Sequence, residues 1–288
     1  MDETMLRRLF ALLLAISPLT ALAGLPTIAA LTPHSVELLY EVGAGEQIVA
    51  TVEYADYPEA ARSIHRVGRH NQMDFEALMA LQPDLVVLGI SDTSLHFVTR
   101  LRELGFTLID TSVDEVAEIA PLLARLGRET GHERRGREVA ARFQAEYRRL
   151  KRDYAGRTPV PIFYQLWSEP LMSASSGWMD GLIADCGGVN LFADTPAEYP
   201  QVSIEQVVAA SPQGIIVPTN HGLEENSIER WLDWPEIPAV ANGQIHPVNS
   251  DWLHRTGPRI LKGMAQMCEA IERVRQGGKR DPAGAGSR

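Results

Sequence analysis

Two fifteen-residue stretches, DFEALMALQPDLVVL (Asp74–Leu88) and SIEQVVAASPQGIIV (Ser203–Val217), align without a gap. Each opens on a residue whose side chain caps a helix, Asp74 or Ser203. Apolar residues at helical spacing follow. Pro83 and Pro212 then stand just past the helix end, and a short apolar run reads as a buried strand. Glu76 pairs with Glu205 and Ala80 with Ala209. A match of this length also arises from a helix-to-strand grammar that unrelated α/β segments share. Read as a repeat, it states that the chain holds two similar lobes facing each other.

The flanking sequence extends the pattern. TIAAL from Thr27, QIVATV from Gln47 and FTLIDT from Phe106 read as strands. PHSVELLYEVG, SLHFVTRLRELG and VDEVAEIAPLLARLG read as helices between and after them. Alternating strand and helix with short turns predicts an α/β fold with mostly parallel sheets. From Glu133 to Tyr154 the chain carries no proline and has apolar residues at helical spacing, which predicts one helix of about six turns. A second α/β pattern starts at VPIFYQL and closes on a helix within GPRILKGMAQMCEAIERVR. The expected organisation is an α/β lobe over 24–131, a bridging helix over 132–156, a second α/β lobe over 157–276 and a disordered Gly/Pro-rich tail over 277–288. Ligands of open α/β sheets bind outside the carboxyl ends of the strands, so one ligand is expected in the cleft between lobes.

The formal net charge of −10, with scattered basic residues, argues against nucleic acid as a partner. The start of the chain reads as a signal peptide over 1–23. Arg7 and Arg8 precede the apolar LFALLLAISPL, and Ala21–Ala23 offers a small-residue cleavage site before Gly24. No cysteine lies near that site, which argues against a lipid anchor there, and export to a periplasm is expected. In an oxidising compartment Cys186 and Cys268 read as a disulfide, the alternative being two separate buried thiols.

Catalytic signatures are missing. There is no Walker A loop, no G-x-G-x-x-G after the first strand and no G-x-S-x-G elbow. The eight histidines are dispersed without metal-pair spacing, so each reads as surface or satisfied core. Aromatics instead occupy loops after strands: Tyr54 and Tyr57, Trp167 and Trp178, Tyr199 before the Ser203 helix, and Trp252 beside Asp251 and Arg255. Aromatic walls with a few polar fixers suit a large, flat, mostly apolar ligand. Glu76 and Glu205 sit in the first turn of their helices, where the dipole favours a carboxylate. Their equivalence also suits two pegs for basic sockets on a membrane partner.

The segments YADYP, MDFEALMALQPDLVV, CGGVNLF, YPQVSIEQVVAASP and SDW followed by Arg255 and PRI come in an order that resembles the periplasmic vitamin B12 (cobalamin) binding proteins of ABC importers. The resemblance covers about nine tenths of the chain. It implies two Rossmann-like lobes with parallel-type sheets, joined by one long rigid helix and closing little on the ligand, in a class III substrate-binding protein. It implies a non-catalytic monomer that takes cobalamin or a related corrinoid as transported ligand and docks on an inner-membrane permease dimer with its ATPase subunits. By the same resemblance Tyr54 packs on the ligand's nucleotide-loop side, and Asp251, Trp252 and Arg255 fix corrin amides. Tyr199 and Trp167 supply further aromatic contact, Cys186 and Cys268 form a disulfide, and Glu76 and Glu205 dock on permease arginines.

Three positions depart from that pattern, the pocket aromatic near YQLWSEPLM being displaced by one position to Trp167. His70 stands where the family carries a tryptophan, and Gly89 replaces another pocket aromatic. His70 is expected to hydrogen-bond a side amide, with cobalt coordination as the alternative. The wider class also binds haem and iron–siderophore complexes. A catecholate ligand would call for cations beyond Arg255, Arg69 and Arg259. An exported enzyme on the same scaffold is the third reading.

Overall fold

In the computed structural model, which describes residues 24–69, 72–219 and 228–277, the first strand β1 (Ile28–Ala30) is buried at every residue. A strand covered on both faces needs apolar side chains throughout, which is why TIAAL shows no alternation. Helix α1 (Pro33–Val42) starts on a proline pre-set for the first turn. Strand β2 (Ile48–Thr51) follows, then a small hairpin of β3 (Gly68–Arg69) and β4 (Gln72–Met73). Next come α2 (Phe75–Leu81), β5 (Leu85–Leu88), α3 (Leu95–Glu103), β6 (Leu108–Asp110) and α4 (Ile119–Glu129). The sheet is parallel throughout, in the order β2-β1-β5-β6.

Helix α5 (Glu133–Tyr154) carries the chain across to the second lobe over 22 residues, about 33 Å at the α-helical rise. Its start packs tightly on α4. A Cβ on Gly127 would lie 2.6 Å from the Gly136 Cα, so both positions need glycine for the helices to approach. The second lobe contains β7 (Val160–Tyr164), α6 (Gly177–Asp185), β8 (Gly188–Asn190), α7 (Ile204–Ala210), β9 (Gly214–Thr219), α8 (Pro238–Ala241), β10 (Ile245–Asn249), α9 (Ser250–Leu253) and α10 (Ile260–Arg275). Its parallel sheet runs β8-β7-β9-β10. Counted within each lobe, both sheets therefore have the strand order second-first-third-fourth.

The aligned pair of segments enters the third strand in both lobes. Asp74 Oδ1 accepts from the Ala77 N–H at 2.9 Å, and Ser203 Oγ accepts from the Gln206 N–H at 3.3 Å. Both helices end on a left-handed residue, Gln82 at φ 45° and Ser211 at φ 54°, immediately before the proline. The repeat seen in the letters is a repeat in backbone geometry.

Among the described residues no strand joins the two sheets, and one continuous apolar core runs from the first lobe, past Phe143 and Leu150 of α5, into the second. The lobes are also tied by charge. Glu37 of α1, 3% exposed, accepts from Arg259 at 2.6 and 2.9 Å and from Arg255 at 3.2 Å. Arg255 also reaches Asp56 at 3.0 Å and Asp251 at 3.1 Å, and the Arg259 guanidinium lies 3.9 Å from the Tyr57 ring centroid. The Cys186–Cys268 disulfide is formed and fully buried, so the alternative of two separate thiols falls away. The proposed signal segment 1–23, His70 and the tail from 278 lie outside the described residues.

Candidate functional site

The two equivalent strand orders place both sets of strand carboxyl ends against one another, and a cavity of about 410 Å3 lies between them. Its lining comes almost wholly from residues that follow strands: His34 after β1, Tyr54 after β2, Asp92 after β5, Trp167 after β7 and Asp251 after β10. Phe97 of α3 and Met73 of β4 add apolar wall on the first lobe.

Tyr54 sits at φ 65°, a left-handed conformation that is unfavourable for a bulky side chain. The residue is 66% exposed. Trp167 of the other lobe is 47% exposed, with its backbone bridged to Met172 and its Nε1–H donating to the Glu169 carbonyl at 2.9 Å. Two fixed, uncovered aromatics on opposite walls are what a flat ligand between lobes requires.

Asp251 and Arg255 form the polar part of the floor, one helical turn apart on α9 and beyond. Trp252, one position on, is turned elsewhere. It lies outside the cavity lining, its ring 5.9 Å from Lys262 Nζ, because neighbouring helical residues do not share a face. Tyr199 also lies outside the lining. Burial, the Glu198 hydrogen bond and the Asp92 carboxylate of the opposite lobe push its hydroxyl pKa up. Tyr57 stacks on Arg259, and Trp178 packs on the core.

The histidines were the least informative letters in the sequence, yet two of them line the cavity. His34 is buried on its floor, and His254 lies beneath Asp251 with Nε2 at 2.6 Å from the Tyr164 hydroxyl. Their only sequence signal is position, one just beyond β1 and the other a turn beyond β10. Burial pushes His254 down to about 4, with Asp251 opposing. Unfolded, it titrates near the ordinary value of about 6.5. Stability is therefore whole above that value and falls as pH drops from 6.5 towards 4, by about 2–3 kcal/mol from this group. In urea unfolding at pH 7 and pH 4.5, His254→Gln is expected to remove that part of the acid sensitivity. An unchanged difference would refute it.

No group of three or more metal-ligating side chains occurs among the described residues. No helix among them is long and apolar enough to cross a membrane.

A vitamin B12-binding protein of Vibrio cholerae is 35% identical over 247 residues, 85% of this chain and 88% of its own. One from Salmonella paratyphi A is 34% identical over 275 residues, 95% of this chain and all of its own. The crystal structure of the periplasmic vitamin B12 binding protein BtuF of Vibrio cholerae superposes with a TM-score of 0.82 at 34% identity, covering 88% of this chain and 98% of that one. The haem-binding protein RhuT of Roseiflexus shares the fold at 23% identity and a TM-score of 0.75, covering 87% of this chain and 99% of its own. Over residues 28–251 the sequence matches the family described as periplasmic binding protein, and the chain belongs to that family.

Proposed function

We propose that this protein is a periplasmic receptor that captures cobalamin or a related corrinoid between its lobes and delivers it to an inner-membrane ABC permease with its ATPase subunits. The observation that carries this reading is the facing pair of exposed, anchored aromatics, Tyr54 and Trp167, over a floor whose Arg255 is already held by carboxylates. A neutral, amide-bearing macrocycle suits such a floor. Haem propionates would want more uncommitted cations than Arg69, which the described lining supplies beside the committed Arg255. The relatives at 34–35% identity are vitamin B12-binding proteins, in keeping with this choice. The protein acts as a monomer, needs no resident cofactor, and works as two lobes (24–131 and 157–276) about the helix at 132–156. Asp251 and Arg255 hold corrin side amides. Tyr199 and Trp252 contribute from the rim once the ligand is seated, and His70 is a further candidate ligand contact.

Isothermal titration of the exported protein with cyanocobalamin is expected to give a Kd well below 10 µM, a threshold of about −7 kcal/mol. No binding of cyanocobalamin or cobinamide, with a Soret shift on adding haem, would replace the corrinoid by haem.

Glu76 and Glu205 are exposed, and each lies at the same point of its lobe, in the first turn before the third strand. The Ser203 hydroxyl and helix-start N–H hold Glu205 below the ordinary carboxylate range. Two equivalent anions on two similar lobes match a two-fold permease with basic sockets. Glu76→Ala with Glu205→Ala is expected to leave corrinoid Kd within twofold and to cut uptake by about tenfold, the scale of about 1.4 kcal/mol lost at docking. A weakened ligand Kd would contradict a docking role.

A further inference from the structure

The end of β1 carries a polar cluster that the aromatic walls do not explain. Thr32 Oγ1, Ser35 Oγ and Thr111 Oγ1 are linked at 2.6 and 2.8 Å, and His34 Nε2 joins them at 3.0 Å from Thr111 and 3.3 Å from Thr32. The imidazole is thereby fixed by one nitrogen. Its other nitrogen, Nδ1, makes no hydrogen bond among the described residues and lies 3.9 Å from Asp92 Oδ2. Asp92 Oδ1 accepts from Ser91 at 3.3 Å, which leaves Oδ2 without a hydrogen bond among the same residues. Both groups line the cavity.

Gly89 makes this pairing possible. A Cβ there would lie 2.8 Å from Asp92 Oδ2 and from His34 Cε1, and 3.0 Å from His34 Nε2. Any other residue at 89 would displace one partner. The place where the resemblance puts a pocket aromatic is filled by the His34 ring.

With Nε2–H donating to Thr111, Nδ1 presents a lone pair. Two acceptors 3.9 Å apart lie within the span of one NH2 group making two bonds of about 2.9 Å. From this geometry we propose that His34 Nδ1 and Asp92 Oδ2 together bind a primary carboxamide of the ligand and reject a carboxylate at the same place. The inference rests on the corrinoid reading, since corrinoids carry such amides at their periphery. A carboxylate there would offer no donors and would face the Asp92 charge.

The groups around His34 set the direction of its pH response. Burial lowers its pKa, Asp92 and Asp110 oppose this, and Arg255 of the other lobe adds to it. The ring is neutral and accepting at pH 7. It loses the lone pair as pH falls through its lowered pKa, so affinity weakens in acid.

The test is titration of the exported protein with cyanocobalamin and with each of its singly hydrolysed monocarboxylic acids. The wild type is expected to bind at least one acid about tenfold more weakly than the amide. Asp92→Asn, which supplies an NH2 of its own, is expected to abolish that discrimination. His34→Ala is expected to weaken cyanocobalamin binding about tenfold at pH 7 and to flatten its loss in acid. If buried His34 does not tolerate alanine, the half-exposed Asp92 decides alone through the amide-to-acid ratio. An unchanged ratio in Asp92→Asn with intact wild-type binding overturns this inference and leaves the receptor reading standing. Failure of the wild type to bind any corrinoid overturns both.

Discussion

Glu37→Ala is expected to lower the unfolding free energy by about 3–5 kcal/mol, the usual consequence of removing one partner from a buried ion cluster. Glu37 reaches both Arg255 and Arg259 from the first lobe, and it is almost wholly buried. Without it Arg259 keeps its stack on Tyr57 but loses two charge-assisted hydrogen bonds. Arg255 keeps Asp56 and Asp251, which moves the expectation towards the lower end of the range. Glu37→Gln retains shape and one acceptor, and should fall between the alanine variant and the wild type. The effect is on the assembly of the lobes as well as on local packing, because every bond to Glu37 from the two arginines crosses between lobes. Arg255 is also a floor residue of the cleft, so the alanine variant should weaken corrinoid binding. Urea unfolding by circular dichroism checks the stability. A loss below about 1 kcal/mol would mean that the cluster sits in a better-hydrated place than its burial indicates.

What the sequence made legible, and what it did not, follows from the range of the interactions. Helix α5 was delimited from its letters because apolar spacing, charge and a run without proline are all local. The doubled segment announced the two lobes, and the matching strand orders follow from it. The β3–β4 hairpin was not foreseen, since strands of two residues are too short to show a period. The cleft was legible as a place, because residues after strand ends gather there. Its membership was less so. Tyr54, Trp167, Asp251 and Arg255 line the cavity, whereas Trp252 turns away on a four-residue helix whose facing no periodicity reveals. His34 and Asp92 are 58 positions apart, and Glu37 meets partners more than 200 positions away. Pairings of that reach depend on how two sheets stack, and no local pattern encodes them.

Replacing Cys186 and Cys268 by alanine together is expected to cost about 4 kcal/mol, through the denatured chain more than the native one. The bridge spans a sequence separation of 82, tying the C-terminal end of α6 to the middle of α10. The loop it closes holds β8, α7, β9, α8, β10 and α9, and with them Tyr199, Glu205, Asp251 and Arg255. Losing the link frees most of the second lobe in the unfolded state, so the urea dependence should steepen as the midpoint falls. In the native state the sulfurs are buried in the core on α10 and lie outside the cavity lining. Corrinoid Kd should therefore hold within twofold wherever the variant stays folded. The continuous core joining both lobes through α5 predicts a single transition, the first lobe melting with the second. Two separated transitions would show that the lobes fold as independent units and that α5 transmits little between them. An unchanged midpoint after reduction would show that the unfolded second lobe is already compact without its cross-link.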